Sequence, residues 1–432
     1  MRRVERVDPN VVLAASAVAV VAIEAAYRTW VSVAWLLLEG LVAALALVHA
    51  WRTQDRLRLV PVLAIVAGLQ LAFLGVHLAL DVSGDRDSST VFRWQGNAIL
   101  HGDYPRSEYP LGAVLLFAAE AWLGDGSTRS TNALLMAPLG VIAAACVWLT
   151  RLPYAPWLAA FIGLWPANAF YWQYKYDLAP AAALALGLLL AYRGRWAWAA
   201  VALAVGTLVK WTPVLASVAL VAWLLTHARA RTAAAHAALL AGVVVLAHVP
   251  FALWDDDVFA AYDRQSGRAI TPESVWYLPL RALDLAHVRT HISFAAGAPE
   301  WADVTATVLQ ISAVLVLVVL AARAGSARAA VALAALAPAV FLLTNRIFSP
   351  QFILVLFVAW AVAGALVVRD RREQLAVGAA AALAAAANAF VYPFALPRYD
   401  VTWPVASAVL FAVGLGLTVA LAVRAGRVPE QV

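Results

Sequence analysis

Two lysines stand out among the polar residues that could do chemistry in this chain. The sequence has 31 basic residues, and Lys175 and Lys210 are the only lysines among them. Both interrupt apolar stretches, as does Arg346 in the polar segment 345–351. Cations in such places can bind phosphate oxygens, and they are costly without an anionic partner. We therefore expect Lys210, Lys175 and Arg346 to bind a phosphate-bearing substrate, although Arg346 could also be an ordinary interfacial arginine.

Acidic residues precede the lysines in residues 81–108, which form the first polar segment of any size. A carboxylate beside a pocket can take the proton of an attacking hydroxyl group as a general base. Asp81, Asp85 and Asp87 are all placed for this role, and each could instead be a solvated loop acid. Glu108, at the end of the segment, is either a second functional acid or a structural tether.

Metal, nucleotide and nucleic-acid chemistry have little support. Cys146 is the only cysteine and lies in an apolar run, which excludes disulfides and cysteine-based metal sites. His287 and His291 have a helical i, i+4 spacing, but without further ligands nearby we interpret them as surface histidines. Walker A and G-x-G-x-x-G motifs are absent. We predict no metal, no cofactor and no nucleic-acid partner, since the net charge of +6 comes from arginines in short loops.

The elements that position these residues are membrane helices. Hydrophobic residues make up 64% of the 432, charged residues 13%, and the mean hydropathy is +0.81. No soluble domain of this length has that balance. We predict an all-α, polytopic transmembrane protein of roughly 12–15 helices in the lipid bilayer, with short amphipathic helices in its outer loops. Residues 91–100 predict one such helix, with Phe92, Ile99 and Leu100 toward lipid.

Arginine-rich loops set the expected orientation, because positive loops remain in the cytoplasm. The whole chain, 1–432, then forms a single integral membrane domain with five consecutive parts. These parts are the N-terminal spans (1–80), a first large outer loop (81–108), core spans (109–250), a second large outer loop (251–303) and C-terminal spans (304–432).

Two features of the core spans interrupt the regular crossing. Four apolar runs between 109 and 192 would bring Arg193 to the outside, so one run is expected not to cross fully. The run 196–226 contains Pro213, which disfavours a continuous helix. As a hairpin, each leg has about 14 residues and spans ~21 Å, short of a ~30 Å hydrocarbon core. Its tip, with Lys210, would lie below the outer surface at the floor of a cavity.

Short motifs along the chain resemble those of the GT-C membrane glycosyltransferases. An outer-loop acid, then Gly102-Asp103-Tyr104-Pro105 and Glu108-Tyr109-Pro110, resembles the D…G-x-x-P-Y…E-Y-P-P opening of that superfamily. The pattern is most similar to the polyprenol-phosphate-mannose-dependent alpha-mannosyltransferases of glycosyltransferase family 87. Further similar segments are Tyr176-Asp177-Leu178-Ala179-Pro180, Gly206…Lys210…Pro213, Glu273-Ser274-Val275-Trp276 and Arg346-Ile347-Phe348-Ser349-Pro350-Gln351. The chain departs from the family in the Tyr-Pro order, in lacking a second proline after Pro110, and in two extra spans before the loop.

The resemblance implies a GT-C-like fold and an inverting transfer of a sugar, mannose first of all. The donor would be a polyprenyl-phosphate sugar and the acceptor a glycolipid or cell-envelope glycan, at the extracytoplasmic face of a bacterial plasma (inner) membrane. Asp87 lies nearest to the family's spacing from Gly102 and is the implied base, with Asp85 and Asp81 behind it. The implied substrate-binding residues are Glu108, Tyr109, Tyr176, Asp177, Trp276 and Gln351.

A transporter or lipid flippase is the alternative, in which Glu39, Glu120 and Lys210 would be the coupling or substrate charges. Such proteins commonly show broken helices at matching positions in two halves. Here the broken segments cluster in one half and the outer loop is large and acidic, which favours the enzyme. A scaffold for envelope assembly would explain the composition but not the placement of the lysines.

Overall fold

The computed structural model is almost entirely helical. It describes residues 7–27, 33–79, 88–124, 128–165, 171–172, 175–266, 268–285, 287–288, 295–296, 298–395 and 403–428. Asp81, Asp85 and Asp87, the candidate general bases, lie outside the described residues.

The first nine helices of the described chain run from the N-terminus to the predicted hairpin. They are α1 (Pro9–Tyr27), α2 (Val33–Arg52), α3 (Leu59–Ala79), α4 (Arg93–Leu100), α5 (Leu111–Leu123), α6 (Thr128–Trp148), α7 (Ala155–Leu164), α8 (Leu178–Tyr192) and α9 (Trp196–Val209).

The remaining helices include two short ones in the second outer loop. They are α10 (Pro213–Thr226), α11 (Ala230–Ala252), α12 (Ala260–Ser266), α13 (Tyr277–Ala282), α14 (Glu300–Ala322), α15 (Ala327–Thr344), α16 (Ile353–Val367), α17 (Arg371–Ala389) and α18 (Trp403–Ala425). The only β-structure among the described residues is an antiparallel pair, β1 (His287–Val288) with β2 (Ala295–Ala296).

Eight of the described helices are long and apolar enough to cross a membrane. This confirms the prediction of an all-α, polytopic integral membrane protein. The centre of the bundle is α16, in which all 15 residues are buried. A helix that is hydrophobic on every side is expected to be enclosed by other helices. Helix α16 therefore forms the axis around which the other helices pack.

Arginine-rich connections meet at one end of the bundle, which we call the arginine end. The guanidinium group of Arg193 donates a hydrogen bond to the Leu149 carbonyl oxygen at 2.6 Å. The Tyr154 hydroxyl group donates to the Arg369 carbonyl oxygen at 3.0 Å. Connections on both sides of the core spans thus share this end, as the charge pattern predicts.

Helix α6 crosses the bundle and ends at the arginine end, where Leu149 follows it. Its opposite end lies beside the lysine-containing segment, because the Asn132 side-chain amide donates to the Lys175 carbonyl oxygen at 3.4 Å. Helix α8 starts in the same place and returns to the arginine end at Arg193. We call this second end of the bundle the cavity end.

Helix α5 is the apolar run that does not cross. It begins at the cavity end and has only 13 residues. The Thr131 hydroxyl group, near the start of α6, donates to the Glu120 carbonyl oxygen at 3.0 Å, so the last turn of α5 is still near the cavity end. The parity conflict between 109 and 192 is thereby resolved. Helix α5 lies along the cavity end, and the later crossings alternate regularly.

This topology has a direct test by labelling with a membrane-impermeant thiol reagent in a Cys146→Ala background. Cysteines at positions 101 and 124, on either side of α5, should be labelled from the same side of the membrane. A cysteine at position 229 should be labelled only from the other side. Labelling of positions 101 and 124 from opposite sides would show that α5 crosses.

The predicted short hairpin is confirmed. Helices α9 and α10 each have 14 residues, and Lys210 lies between them with an extended backbone. Pro213 occupies the first turn of α10, where its missing N–H group is not needed. The two legs are therefore too short for a full crossing each, as the sequence indicates.

The predicted surface helix at 91–100 is partly wrong. Helix α4 starts at Arg93, after a π-helical turn at Ser88–Phe92. The Phe92 side chain is 1% exposed and stacks on Phe117 of α5 with ring centroids 4.1 Å apart, so it faces the protein rather than lipid. Leu100 is exposed as predicted. The prediction placed Phe92 toward lipid, but α5 lies beneath α4 and offers an aromatic surface on which the Phe92 ring packs.

Candidate functional site

A cavity of about 370 Å³ lies at the cavity end, where several connections converge. Its walls come from the segment before α5, the segment before α8, the tip of the α9–α10 hairpin, the second outer loop and the α15–α16 connection. The charged side chains among its lining residues are Glu108, Lys175, Lys210, Arg268 and Glu273.

Lys210 lines the cavity from the hairpin tip. Its ammonium group forms an ion pair with Asp177, whose side chain is fully buried at the start of α8. The same ammonium group lies 4.0 Å from the ring centroid of Phe352 and 5.4 Å from that of Tyr176. Because an ammonium group has three N–H donors, the pair with Asp177 leaves donors for a ligand.

Lys175 lines the same cavity two residues before Asp177 and is only 4% exposed. Both lysines of the protein therefore meet at one site, although 35 positions separate them in the sequence. Lys210 directly follows the last residue of α9, and Lys175 lies three residues before the first residue of α8. This convergence of the two lysines is the strongest feature of the site.

Arg268 is a third cation of the cavity and was not among the predicted site residues. Its guanidinium group lies 3.4 Å from a carboxylate oxygen of Glu108, which joins the second outer loop to the segment before α5. The Gln265 side chain strengthens the junction by donating to the Glu108 carbonyl oxygen at 3.0 Å. The charge rule alone could not single it out, because Arg264, Arg281 and Arg289 lie in the same predicted outer loop.

The second outer loop is also fastened to the α15–α16 connection. The Thr271 hydroxyl group donates to the Phe348 carbonyl oxygen at 3.1 Å and accepts from the Phe348 N–H group at 3.0 Å. The Thr271 N–H group donates to the Arg346 carbonyl oxygen at 2.9 Å. The indole N–H group of Trp276 donates to the Thr344 carbonyl oxygen at 2.7 Å. Two motifs that are far apart in the sequence thus form one wall.

Glu273 lies on this wall, faces the cavity and is partly exposed. Burial raises the pKa of Glu273 to about 7, although its own backbone N–H group and the nearby charge of Arg268 lower it. Near neutral pH the carboxyl group is therefore divided between its charged and neutral forms. In the sequence Glu273 is recognisable only as part of the Glu273-Ser274-Val275-Trp276 motif, which gives it no role by itself.

Aromatic rings form the side of the cavity next to α5. Tyr109 and Tyr176 line it, with ring centroids 5.6 Å apart in an edge-to-face arrangement. Phe117 lies 5.3 Å from each of them and supports both from behind. Fixed rings of this kind offer an apolar surface with hydroxyl groups at the rim.

Six of the predicted site residues line the cavity, namely Glu108, Tyr109, Lys175, Tyr176, Lys210 and Gln351. Asp177 is placed behind Lys210 as its ion-pair partner rather than on the wall. The catalytic assignments of Asp81, Asp85 and Asp87 remain predictions, since these aspartates lie outside the described part of the chain.

Arg346 and Trp276 are not among the residues that line the cavity. The Arg346 guanidinium group lies 3.6 Å from a carboxylate oxygen of Asp303 in α14, and only its neighbours Asn345 and Ile347 reach the wall. Trp276 holds the second outer loop through its indole group. Their positions favour structural roles over the predicted phosphate and substrate contacts.

Metal binding finds no support among the described residues, which contain no group of three or more His, Cys, Asp or Glu side chains able to hold an ion. His287 lies in β1 and not on a helix, so the helical spacing proposed for a histidine pair does not apply to it.

Neither a scan against protein-family models nor a search of curated protein sequences finds a match to this chain. The assignment of a function therefore depends on the cavity and on the motifs.

Proposed function

We propose that the protein is a GT-C-type membrane glycosyltransferase. It transfers a sugar, with mannose as the first candidate, from a polyprenyl-phosphate donor to a glycolipid or cell-envelope glycan. The observation that carries the proposal is the meeting of Lys175, Lys210 and Arg268 around one cavity at the end of a membrane helix bundle. Its volume lies within the usual range of small-molecule sites, about 300–1,000 Å³.

The cations are suited to the phosphate of the donor. Lys175 is buried and Lys210 is paired with Asp177, so their charges are positioned before the ligand binds. When the bond between the sugar and the phosphate breaks, the leaving lipid phosphate gains negative charge. Fixed cations in a partly desolvated site stabilise that charge more in the transition state than in the bound donor.

The lipid part of the donor has an apolar route to the site. Trp211, at the hairpin tip, lines the cavity and is 37% exposed. Its ring contacts Phe341 of α15 with centroids 4.7 Å apart. A polyprenyl chain can lie along the outer face of the hairpin while its phosphate enters the cavity past these rings.

The transfer itself needs a base for the acceptor hydroxyl group. An inverting reaction forms the new bond at the anomeric carbon as the bond to the phosphate breaks, and the hydroxyl proton passes to a carboxylate. We assign this carboxylate to the 81–87 segment, with Asp87 first and Asp85 and Asp81 as alternatives.

The orientation follows from the charge rule. If the arginine end faces the cytoplasm, the cavity end faces the extracytoplasmic side of the bacterial inner membrane. A lipid-linked sugar is suited to that side, since it needs no soluble nucleotide donor.

The transporter alternative has less support from the structure. Glu39 in α2 and Glu120 in α5 are fully buried, and neither lines the cavity with Lys210. The three charges therefore do not share the site that a coupled pathway would require.

Transfer from radiolabelled polyprenyl-phosphate mannose to membrane glycolipids tests the proposal. Wild-type protein should transfer the sugar, and at least one of Asp81→Asn, Asp85→Asn and Asp87→Asn should lose about 100-fold or more of the rate, as removal of a general base does. Full activity of all three variants would refute the base assignment. No transfer by wild-type protein from this or other polyprenyl-phosphate sugars would refute the enzyme itself.

A further inference from the structure

Glu273 differs from the other carboxylates at the cavity. Glu108 is engaged by Arg268, and Asp177 by Lys210. Glu273 lines the cavity but forms no ion pair with any residue that the structure describes. A carboxylate that is partly desolvated and has no countercharge in contact with it gains most from a ligand that brings hydrogen-bond donors.

The backbone on either side of Glu273 is also held in place. Thr271, two residues earlier, is fixed to the backbone of Phe348 through its hydroxyl group. The next residue, Ser274, is fully buried, and its N–H group donates to the Thr271 carbonyl oxygen at 3.0 Å. Little ordering of the backbone that carries Glu273 is therefore needed when a ligand binds.

The chemistry of the ligand follows from the contrast with the cations. An ionised carboxylate only accepts hydrogen bonds, so it repels a phosphate and attracts hydroxyl groups. Lys175, Lys210 and Arg268 attract the phosphate. One cavity thus contains both an anion-binding part and a part that binds neutral hydroxyl donors, as a sugar phosphate requires.

We propose that Glu273 binds hydroxyl groups of the sugar carried by the lipid donor, while the lysines bind its phosphate. This assignment rests on the proposed function and names the residue that distinguishes a sugar-bearing polyprenyl phosphate from the bare lipid phosphate. Glu273 is thus a specificity-determining residue of the donor site.

The assignment predicts a pH dependence with a defined sign. The charged groups that line the cavity with Glu273 are Arg268 on its own loop, Glu108 before α5, Lys175 before α8 and Lys210 at the hairpin tip. Because burial raises the pKa of Glu273 to about 7, the carboxylate is mostly neutral at pH 6 and mostly ionised at pH 8. The affinity for the mannose-bearing lipid, whose phosphodiester keeps one negative charge over this range, should therefore increase with pH.

Binding of two probes to the purified protein in detergent tests the assignment. The probes are polyprenyl phosphate and polyprenyl-phosphate mannose. At pH 8, Glu273→Gln should weaken binding of the mannose-bearing lipid about tenfold or more, as expected for loss of a hydrogen bond to a charged group, and leave the bare lipid phosphate unchanged. Glu300→Gln, which changes an exposed acid at the start of α14, should change neither.

The outcomes separate this inference from the proposed function. If wild-type protein binds both probes and Glu273→Gln weakens both equally or neither, the role of Glu273 is refuted and the function stands. If wild-type protein binds neither probe, both the proposed function and the role of Glu273 are refuted. Should Glu273→Gln not fold, the wild-type affinity for polyprenyl-phosphate mannose at pH 6 and pH 8 decides, since an affinity that does not increase with pH contradicts the role.

Discussion

Replacing Lys210 with methionine should greatly weaken donor binding and strongly destabilise the protein. The ammonium group of Lys210 lines the cavity and is the ion-pair partner of the fully buried Asp177 carboxylate. Removing one partner of a buried pair leaves an uncompensated charge, which costs about 3–5 kcal/mol. Loss of a cation at the phosphate should lower affinity for polyprenyl phosphate by about 100-fold.

These two effects can be separated with a second substitution. In Lys210→Met/Asp177→Asn the buried charge is also removed, so the apparent melting temperature in detergent should recover most of the loss. Donor affinity should not recover, because Lys210 is still replaced by methionine and Asp177 does not line the cavity. The single variant Asp177→Asn leaves the lysine charge in place and should retain more donor affinity than either methionine variant.

Two results would contradict the proposed roles of Lys210. If the double variant recovers both stability and donor affinity, then Lys210 serves only to neutralise Asp177 and the phosphate is bound elsewhere in the cavity. If Lys210→Met unfolds no more readily than wild-type protein, Lys210 and Asp177 do not form a buried ion pair. Thermal unfolding and lipid binding measured on the same preparations distinguish these cases.

The Gly112→Ala substitution should produce the second large effect, because α5 touches the end of α9 at this glycine. An added methyl carbon would lie 2.6 Å from the Leu208 carbonyl carbon and 2.8 Å from the Val209 nitrogen atom. Real side chains do not approach a backbone so closely, so α5 or the hairpin must move. Overpacking of this kind costs about 1–3 kcal/mol or more.

Movement at this contact should also reach the cavity, since Val209 immediately precedes Lys210. We therefore expect Gly112→Ala to lower both the melting temperature and the affinity for polyprenyl phosphate. Gly242→Ala in α11 is the matched control, because nothing lies within 4 Å of the added methyl carbon. The control should be neutral or stabilising by about 0.5–1 kcal/mol, as alanine is in a helix interior. Equal melting temperatures for both variants would show that α5 and α9 are not in close contact.

The sequence was most informative where helix length and charge decide the structure. A membrane helix must satisfy its own backbone and match a fixed thickness, so 31 residues between two basic loops predict the α9–α10 hairpin with Lys210 at its tip. The same reasoning showed that one run between 109 and 192 does not cross. Helix length and charge could not show that α5 is the run that does not cross. The depth at which a short helix ends depends on contacts such as that of Thr131 with Glu120.

The candidate site was less predictable, because loops rather than spans build much of it. Arg346 and Arg268 both lie in polar segments near the cavity, but Asp303 pairs with the first and Glu108 with the second. Which arginine reaches the wall follows from how the second outer loop folds onto its neighbours. No periodicity in the sequence records that arrangement.

The short hairpin has a consequence for the surrounding lipid. Its outer face carries exposed apolar side chains, among them Trp198 and Leu225, at 64% and 55% exposure. Each leg spans only ~21 Å, whereas the hydrocarbon core of a bilayer is ~30 Å thick. We expect acyl chains beside this face to compress to match it, because local thinning of the bilayer relieves hydrophobic mismatch. The headgroup layer should then dip toward the hairpin tip, so that a lipid-borne phosphate reaches the depth of Lys210 without leaving its leaflet.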